Sequence, residues 1–108
     1  MLTTVSGGRV FEYSYCLGMQ GNTAGFGRGF TVPIDFALYD DTLYVLCRGL
    51  DTYGGLPFKR VTICSVSGEF FGQFSGTGTG DGDIMWPVSC AVSDDGDVYI
   101  SDEALHRI

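Results

Sequence analysis

Pro33-Ile34-Asp35-Phe36-Ala37-Leu38-Tyr39-Asp40-Asp41 returns as Pro87-Val88-Ser89-Cys90-Ala91-Val92-Ser93-Asp94-Asp95, 54 residues further along the chain. The proline, the alanine and both aspartates are identical, and Ile34/Val88, Phe36/Cys90 and Leu38/Val92 keep their apolar character. A fixed period of this size marks a repeat architecture, in which each unit is too small to bury its own apolar faces and stacks on its neighbours.

Around these two copies the chain reads as short strands and turns. Gly8 to Tyr15 alternates and predicts a strand, and a loop with five glycines runs from Gly18 to Gly29. Pro33–Tyr39 and Thr42–Cys47 are strands joined by Asp40-Asp41, residues that tolerate the left-handed or locally hydrogen-bonded backbone of a tight turn. A long loop follows over Gly49–Phe58. Strands over Arg60–Val66 and Glu69–Phe74 flank the turn Ser67-Gly68, and Gly76–Asp83 is a second glycine-rich loop. The pattern then restarts with Pro87–Ser93, a turn at Asp94–Asp97 and a strand over Val98–Ser101, and a further strand begins at Ile108. Phe36-Ala37-Leu38 and Leu43-Tyr44-Val45-Leu46 barely alternate. A sheet solvated on one side alternates, so these strands are expected to be covered on both faces. Four-stranded antiparallel meanders stacked around an axis meet that requirement.

The chain has 108 residues, 17 of them glycine, with 14% aromatic residues and a net charge of −7. Only six residues are Lys or Arg, which argues against nucleic acid as a partner, since phosphate binding needs clustered cations. The longest apolar run, Leu43 to Cys47, is too short to span a bilayer, so no membrane is expected. Met1-Leu-Thr-Thr-Val-Ser-Gly-Gly has neither the basic nor the apolar region of a signal peptide, so the expectation is either a cytosolic protein or a missing N-terminus, and the compartment stays unassigned. Cys16, Cys47, Cys64 and Cys90 form no C-x-x-C pair, which disfavours a zinc knuckle, and Cys64 and Cys90 sit in strand patterns where buried free thiols are usual.

Residues 67–108 run through Ser67-Gly-Glu-Phe-Phe-Gly-Gln-Phe, a glycine-rich lead-in to Trp86-Pro87, the Asp-Asp-Gly turn at 94–96, Val98-Tyr-Ile-Ser-Asp102 and His106-Arg107-Ile108. In this order they resemble the NHL repeat of six-bladed β-propellers. Residues 8–66 match more loosely. Leu46-Cys47-Arg48 stands where the second copy has Ser101-Asp102-Glu103, Lys59-Arg60-Val61 stands for His106-Arg107-Ile108, and the loop Gly49–Phe58 is longer by about eight residues. The resemblance implies an all-β fold, a β-propeller fragment of antiparallel four-stranded blades. Residues 8–17 form an outer strand of a preceding blade, 33–74 a complete blade and 87–108 an incomplete one. This is just under two blades, whereas closed propellers have about four to eight. The expected partners for closing the ring are further blades of a longer chain or self-association, with three two-blade units making six.

No catalytic constellation emerges. Gly76–Asp83 lacks the phosphate-loop spacings and leads into a strand. Asp94-Asp95-Gly96-Asp97 lacks the alternate ligands of a calcium loop and reads as a hairpin turn. His106 is the single histidine, and a catalytic metal site takes about three protein ligands. No catalytic residue, resident metal or cofactor is therefore expected in this chain. Calcium or zinc would belong to a completed propeller, where Asp81 and Asp83 would add a carboxylate to a cation site on the channel face. The resemblance implies that Trp86, Phe30 and Ile84, just before the two prolines, plug the gap between neighbouring blades. Asp102 is expected to accept backbone N–H groups in its turn and to pair with Arg107 or His106.

Successive turns of a meander lie at alternating ends, so the crossovers Gly18–Gly29 and Gly76–Asp83 share one end with the loops Gly49–Phe58 and Asp102–Leu105. Loops on a rigid scaffold are where binding residues concentrate. The candidate binding set at that end is Cys47, Arg48, Asp51, Tyr53, Asp102, Glu103 and His106. The function expected is a binding or scaffold module for a protein, peptide or glycan. The alternative, permitted by the resemblance, is part of a metal-dependent lyase or lactone hydrolase propeller whose catalytic residues lie in other blades.

Overall fold

The computed structural model describes residues 3–17, 30–49 and 59–108. Its eight strands are β1 (Thr3–Ser6), β2 (Arg9–Glu12), β3 (Pro33–Tyr39), β4 (Thr42–Arg48), β5 (Lys59–Ser65), β6 (Phe70–Phe74), β7 (Pro87–Val92) and β8 (Val98–Asp102), and among the described residues there is no helix. They form a β1-β2 hairpin, a four-stranded meander β3-β4-β5-β6 and a β7-β8 hairpin, every pair antiparallel. The chain is thus all-β.

The two copies fold alike in detail. Pro33 pairs with Cys47 and then Asp35 with Leu46, and Pro87 pairs with Asp102 and then Ser89 with Ser101, so each inner strand skips one residue at the same place. The sequence supplies the reason: proline has no N–H to give the ladder and is tolerated at a strand start or bulge. The hairpin turns also follow the residue types. Asp40 takes a positive φ of 53° between Tyr39 and Thr42, and Gly96 takes 88° in the longer Ser93–Asp97 turn. There the Ser93 side chain accepts the Asp97 N–H at 3.0 Å.

Period-two alternation gives the meander two faces. One face carries Leu46, Tyr44 and Val61 and packs on the β7-β8 sheet through Ile84, Cys90 and Ile100. The two inner strands lie side by side there, and Asp35 accepts the Cys90 N–H at 2.8 Å. The opposite face carries Leu43, Val45, Cys47 and Cys64, with Phe30 packed against them. A groove of about 400 Å³ opens on it, lined by Leu17, Phe30, Phe36, Leu43 and Val45 among others. Phe36 stays 63% exposed, and Leu38 beside it is exposed too. Among the described residues, the expected covering of both faces is met over β4 and β5, where Val45, Cys47 and Cys64 are buried, and is not met over β3 at Phe36 and Leu38.

The stretch expected as one strand over 8–17 is corrected. Only Arg9–Glu12 is strand, and it is one arm of a hairpin whose other arm, Thr3–Ser6, was not anticipated. Gly7 and Gly8 make the turn with φ of 58° and 76°. Beyond Glu12 the chain crosses to the meander, where the Tyr15 hydroxyl donates to the Val66 carbonyl at 2.8 Å.

Candidate functional site

The antiparallel order places the β3-β4, β5-β6 and β7-β8 turns at one end of the sheets. The crossover 75–86 and the turn 103–106 lie at the other, where each inner strand begins. Asp102 anchors this second end. It is 5% exposed, and its carboxylate accepts N–H groups from Met85 at 2.7 Å, Trp86 at 3.2 Å and Leu105 at 2.9 Å. Burial alone pushes a carboxyl pKa up. Here the N–H groups of Met85, Leu105, Trp86 and Ala104 outweigh it and hold Asp102 below the ordinary carboxylate value.

Arg107 pairs with Asp102 through backbone hydrogen bonds in both directions. Its guanidinium goes elsewhere, donating to the carbonyls of Gly80 at 2.6 Å, Asp83 at 3.1 Å and Thr79 at 3.4 Å. The glycine-rich crossover is thereby clamped from outside. Asp83 closes it from within by accepting the Gly80 N–H at 3.2 Å, and a side chain at Gly78 would collide with that carboxylate. Gly78 and Gly80 thus let the loop pack closely on the Asp83 carboxylate.

Arg48 joins the two sheets at this end. Its guanidinium lies 4.1 Å from the centroid of the Trp86 ring, and Nη1 donates to the Pro87 carbonyl at 3.3 Å. Met85 and Trp86 are exposed beside it, as are Glu103 and His106 in the neighbouring turn, where His106 takes a φ of 52°. The Glu103 N–H donates to the Trp86 carbonyl at 3.1 Å, which ties that turn to the crossover. The result is a firmly anchored surface presenting an aromatic ring, a thioether, a carboxylate, an imidazole and a half-buried guanidinium.

Of the expected binding set, the structure brings Arg48, Asp102, Glu103 and His106 to this end, with Asp102 beneath the surface as its anchor. Cys47 is 0% exposed and belongs to the core cluster with Val45 and Cys64, so its thiol is out of reach of a partner. Burial raises the Cys47 pKa, against the opposing pull of the Thr31 N–H, the Arg60 guanidinium and the Thr62 hydroxyl. Asp51 and Tyr53 lie outside the described residues. Ile84 is buried and Phe30 partly buried, as core plugs should be, whereas Trp86 faces solvent over Arg48. Met85 and Trp86 were absent from the expected binding set. Their signal is that they sit immediately before Pro87, where chain entering a strand must pass over the sheet end.

All four cysteines are free thiols. Burial, with the Asp35 carboxylate adding to it, pushes Cys90 up to about 11. Among the described residues no three His, Cys, Asp or Glu side chains gather as metal ligands, and no helix is long and apolar enough to cross a membrane. Compared with known proteins, the chain matches no family model and no curated protein sequence.

Proposed function

We propose that this chain is a segment of an NHL-like β-propeller that acts as a binding module. On this reading the end bearing Arg48, Met85, Trp86, Glu103 and His106 receives a protein, peptide or glycan. The observation that carries the reading is the Asp102 carboxylate. A buried anion holding three backbone N–H groups fixes the crossover and the turn together, so the exposed side chains above it lose little entropy on binding. An exposed tryptophan with an arginine on its ring suits such a role, since Trp and Arg are enriched among residues that dominate binding energy. The repeated bulge, the stacked sheets and the exposed Phe36 and Leu38 of the inner strand support the propeller part.

The test is a labelled 108-residue chain on peptide and glycan arrays. Signals lost with Arg48→Ala or Glu103→Lys and kept with Asp95→Ser, at the opposite end, support the reading. Signals that survive both end variants, or vanish with Asp95→Ser, overturn it.

A further inference from the structure

The described cations are placed very differently. Arg107 gives its guanidinium to three carbonyls, Arg60 and Lys59 are buried, and Arg9 stands on the β1-β2 hairpin. Arg48 closes β4 half-buried at the sheet end. Its guanidinium carbon is 4.1 Å from the centroid of the Trp86 ring, and only Nη1 is hydrogen-bonded, to the Pro87 carbonyl at 3.3 Å. No carboxylate among the described residues pairs with it, although the chain holds 13 Asp and Glu against six Lys and Arg. The carboxylates near this end are occupied by the backbone. Asp102 accepts from Met85, Trp86 and Leu105, Asp83 from Gly80 and Asp35 from Cys90.

A guanidinium lying on a ring and held by one carbonyl keeps its remaining N–H groups in a fixed fork, the geometry that matches a carboxylate. Its orientation is set before a ligand arrives, so little freedom is lost when the pair forms. The opposite charge is close by. Glu103 donates its N–H to the Trp86 carbonyl at 3.1 Å, and its side chain is exposed. Trp86 thus carries a cation on its ring and an acidic residue against its backbone, with the exposed Met85 thioether next in the chain.

We propose that the ligand of this end is a peptide segment of a partner protein in which an acidic and a basic side chain flank an apolar one, the acidic carboxylate forked by Arg48. The inference rests on the binding reading above and names its ligand. A peptide fits better than a sugar. Sugar hydroxyls ask for several side-chain acceptors, and here Asp102, Asp83 and Asp35 already hold N–H groups, whereas a methionine beside a tryptophan suits apolar side chains. A carboxylate fits better than a phosphate dianion, because the net charge of −7 opposes each further negative charge. The basic side chain of the ligand answers Glu103 and offsets that field.

Trp86 is the single tryptophan of the chain, so its fluorescence reports the contact. The test titrates the 108-residue chain with capped synthetic peptides, acidic–apolar–lysine in both orders with the apolar residue varied, beside the same peptides with the acid replaced by its amide. A saturable change in Trp86 emission is expected with the acidic peptides, with binding about tenfold weaker for the amides. In Arg48→Gln the acid and amide forms are expected to bind alike, and Arg48→Lys, which keeps the charge without the fork, is expected to restore part of the difference. The acid–amide comparison is made on the unaltered protein, so it stands even where a variant fails to fold. Acidic peptides that leave the emission unchanged overturn the proposal, as does equal binding of acid and amide or an acid preference retained in Arg48→Gln. Tighter binding of a phosphoserine peptide or of an oligogalacturonate overturns it in favour of a phosphate or a sugar. Array ligands that bind this end without an acidic group remove this inference and leave the binding reading in place, and silence from peptides and arrays alike removes both.

Discussion

Cys47 and Asp102 hold the same position in the two repeats. Each pairs with the proline that begins the inner strand, Pro33 or Pro87. Each is followed by a residue whose N–H is donated to the carbonyl just before that proline, Arg48 to Val32 at 3.0 Å and Glu103 to Trp86 at 3.1 Å. The backbone corner is one design, and the side chain beneath it differs. Asp102 gathers the N–H groups of Met85, Trp86 and Leu105, whereas the Cys47 thiol faces the Thr31 N–H with the Arg60 guanidinium nearby. At the carboxylate corner Trp86 keeps a negative φ. At the thiol corner the matching Val32 is turned to 53°, a conformation that a β-branched residue ahead of proline rarely takes. The Asp102 carboxylate holds two successive N–H groups in place, whereas the weakly accepting Cys47 thiol is met by that of Thr31.

The contrast is broken most directly at its stronger member. Asp102→Ala removes the acceptor from under three buried or half-buried N–H groups, and hydrogen bonds to a charged group are each worth about 1.5–3 kcal/mol. Because Met85, Trp86 and Leu105 regain water when the turn loosens, the expected loss is about 3 kcal/mol overall, read as a lower urea midpoint. A loss below about 1 kcal/mol would show that the corner stands without its anchor.

The same residue gives the contrast a pH signature. The Asp102 pKa is lower in the folded chain than in the unfolded one, so its contribution is fully present above the ordinary carboxylate value of about 4 and is lost as pH falls through the folded value. Cys47 stays protonated through that range and contributes nothing to it. Asp102→Asn is expected to flatten the fall in urea midpoint below about pH 4 relative to the parent. An unchanged acid limb would place the titrating group elsewhere.

Much of this was readable in the residues. The 54-residue period, the strands from Pro33 to Phe74 and from Pro87 to Asp102, and the alternation of turn ends follow from proline, aspartate and apolar spacing. The arm Thr3–Ser6 was not readable by alternation, because Thr-Thr-Val-Ser is too short and polar to show a face; its signal was Gly7-Gly8, a pair that suits a two-residue hairpin turn. Cys47 was placed in the candidate binding set because it departs from the repeat at the loop-bearing end. Its two-residue spacing from Val45 and Leu43 puts it on the apolar face, and that parity outweighs proximity to a loop. Trp86 was expected inside because the resemblance puts the residues just before the prolines in the gap between blades. The sequence does not reveal that Arg48, 38 positions earlier, arrives over its ring.

The smallest effect is at Val32. Left-handed backbone costs a residue with a Cβ about 1–2 kcal/mol, and more for a β-branched one. Glycine lifts that cost but brings about 0.5–1 kcal/mol of extra chain entropy in the unfolded state. Val32 is exposed, so removing its side chain sacrifices little burial, and its carbonyl still accepts the Arg48 N–H. Val32→Gly is therefore expected to stabilise the chain by about 1 kcal/mol, read as a raised urea midpoint with an unchanged slope. Trp86→Gly, at the matching corner with no strain to relieve and a ring stacked on Arg48, is expected to move the midpoint the other way. Should both substitutions lower it, the left-handed turn at Val32 is no consequence of the thiol beneath it, and the two corners differ only in their side chains.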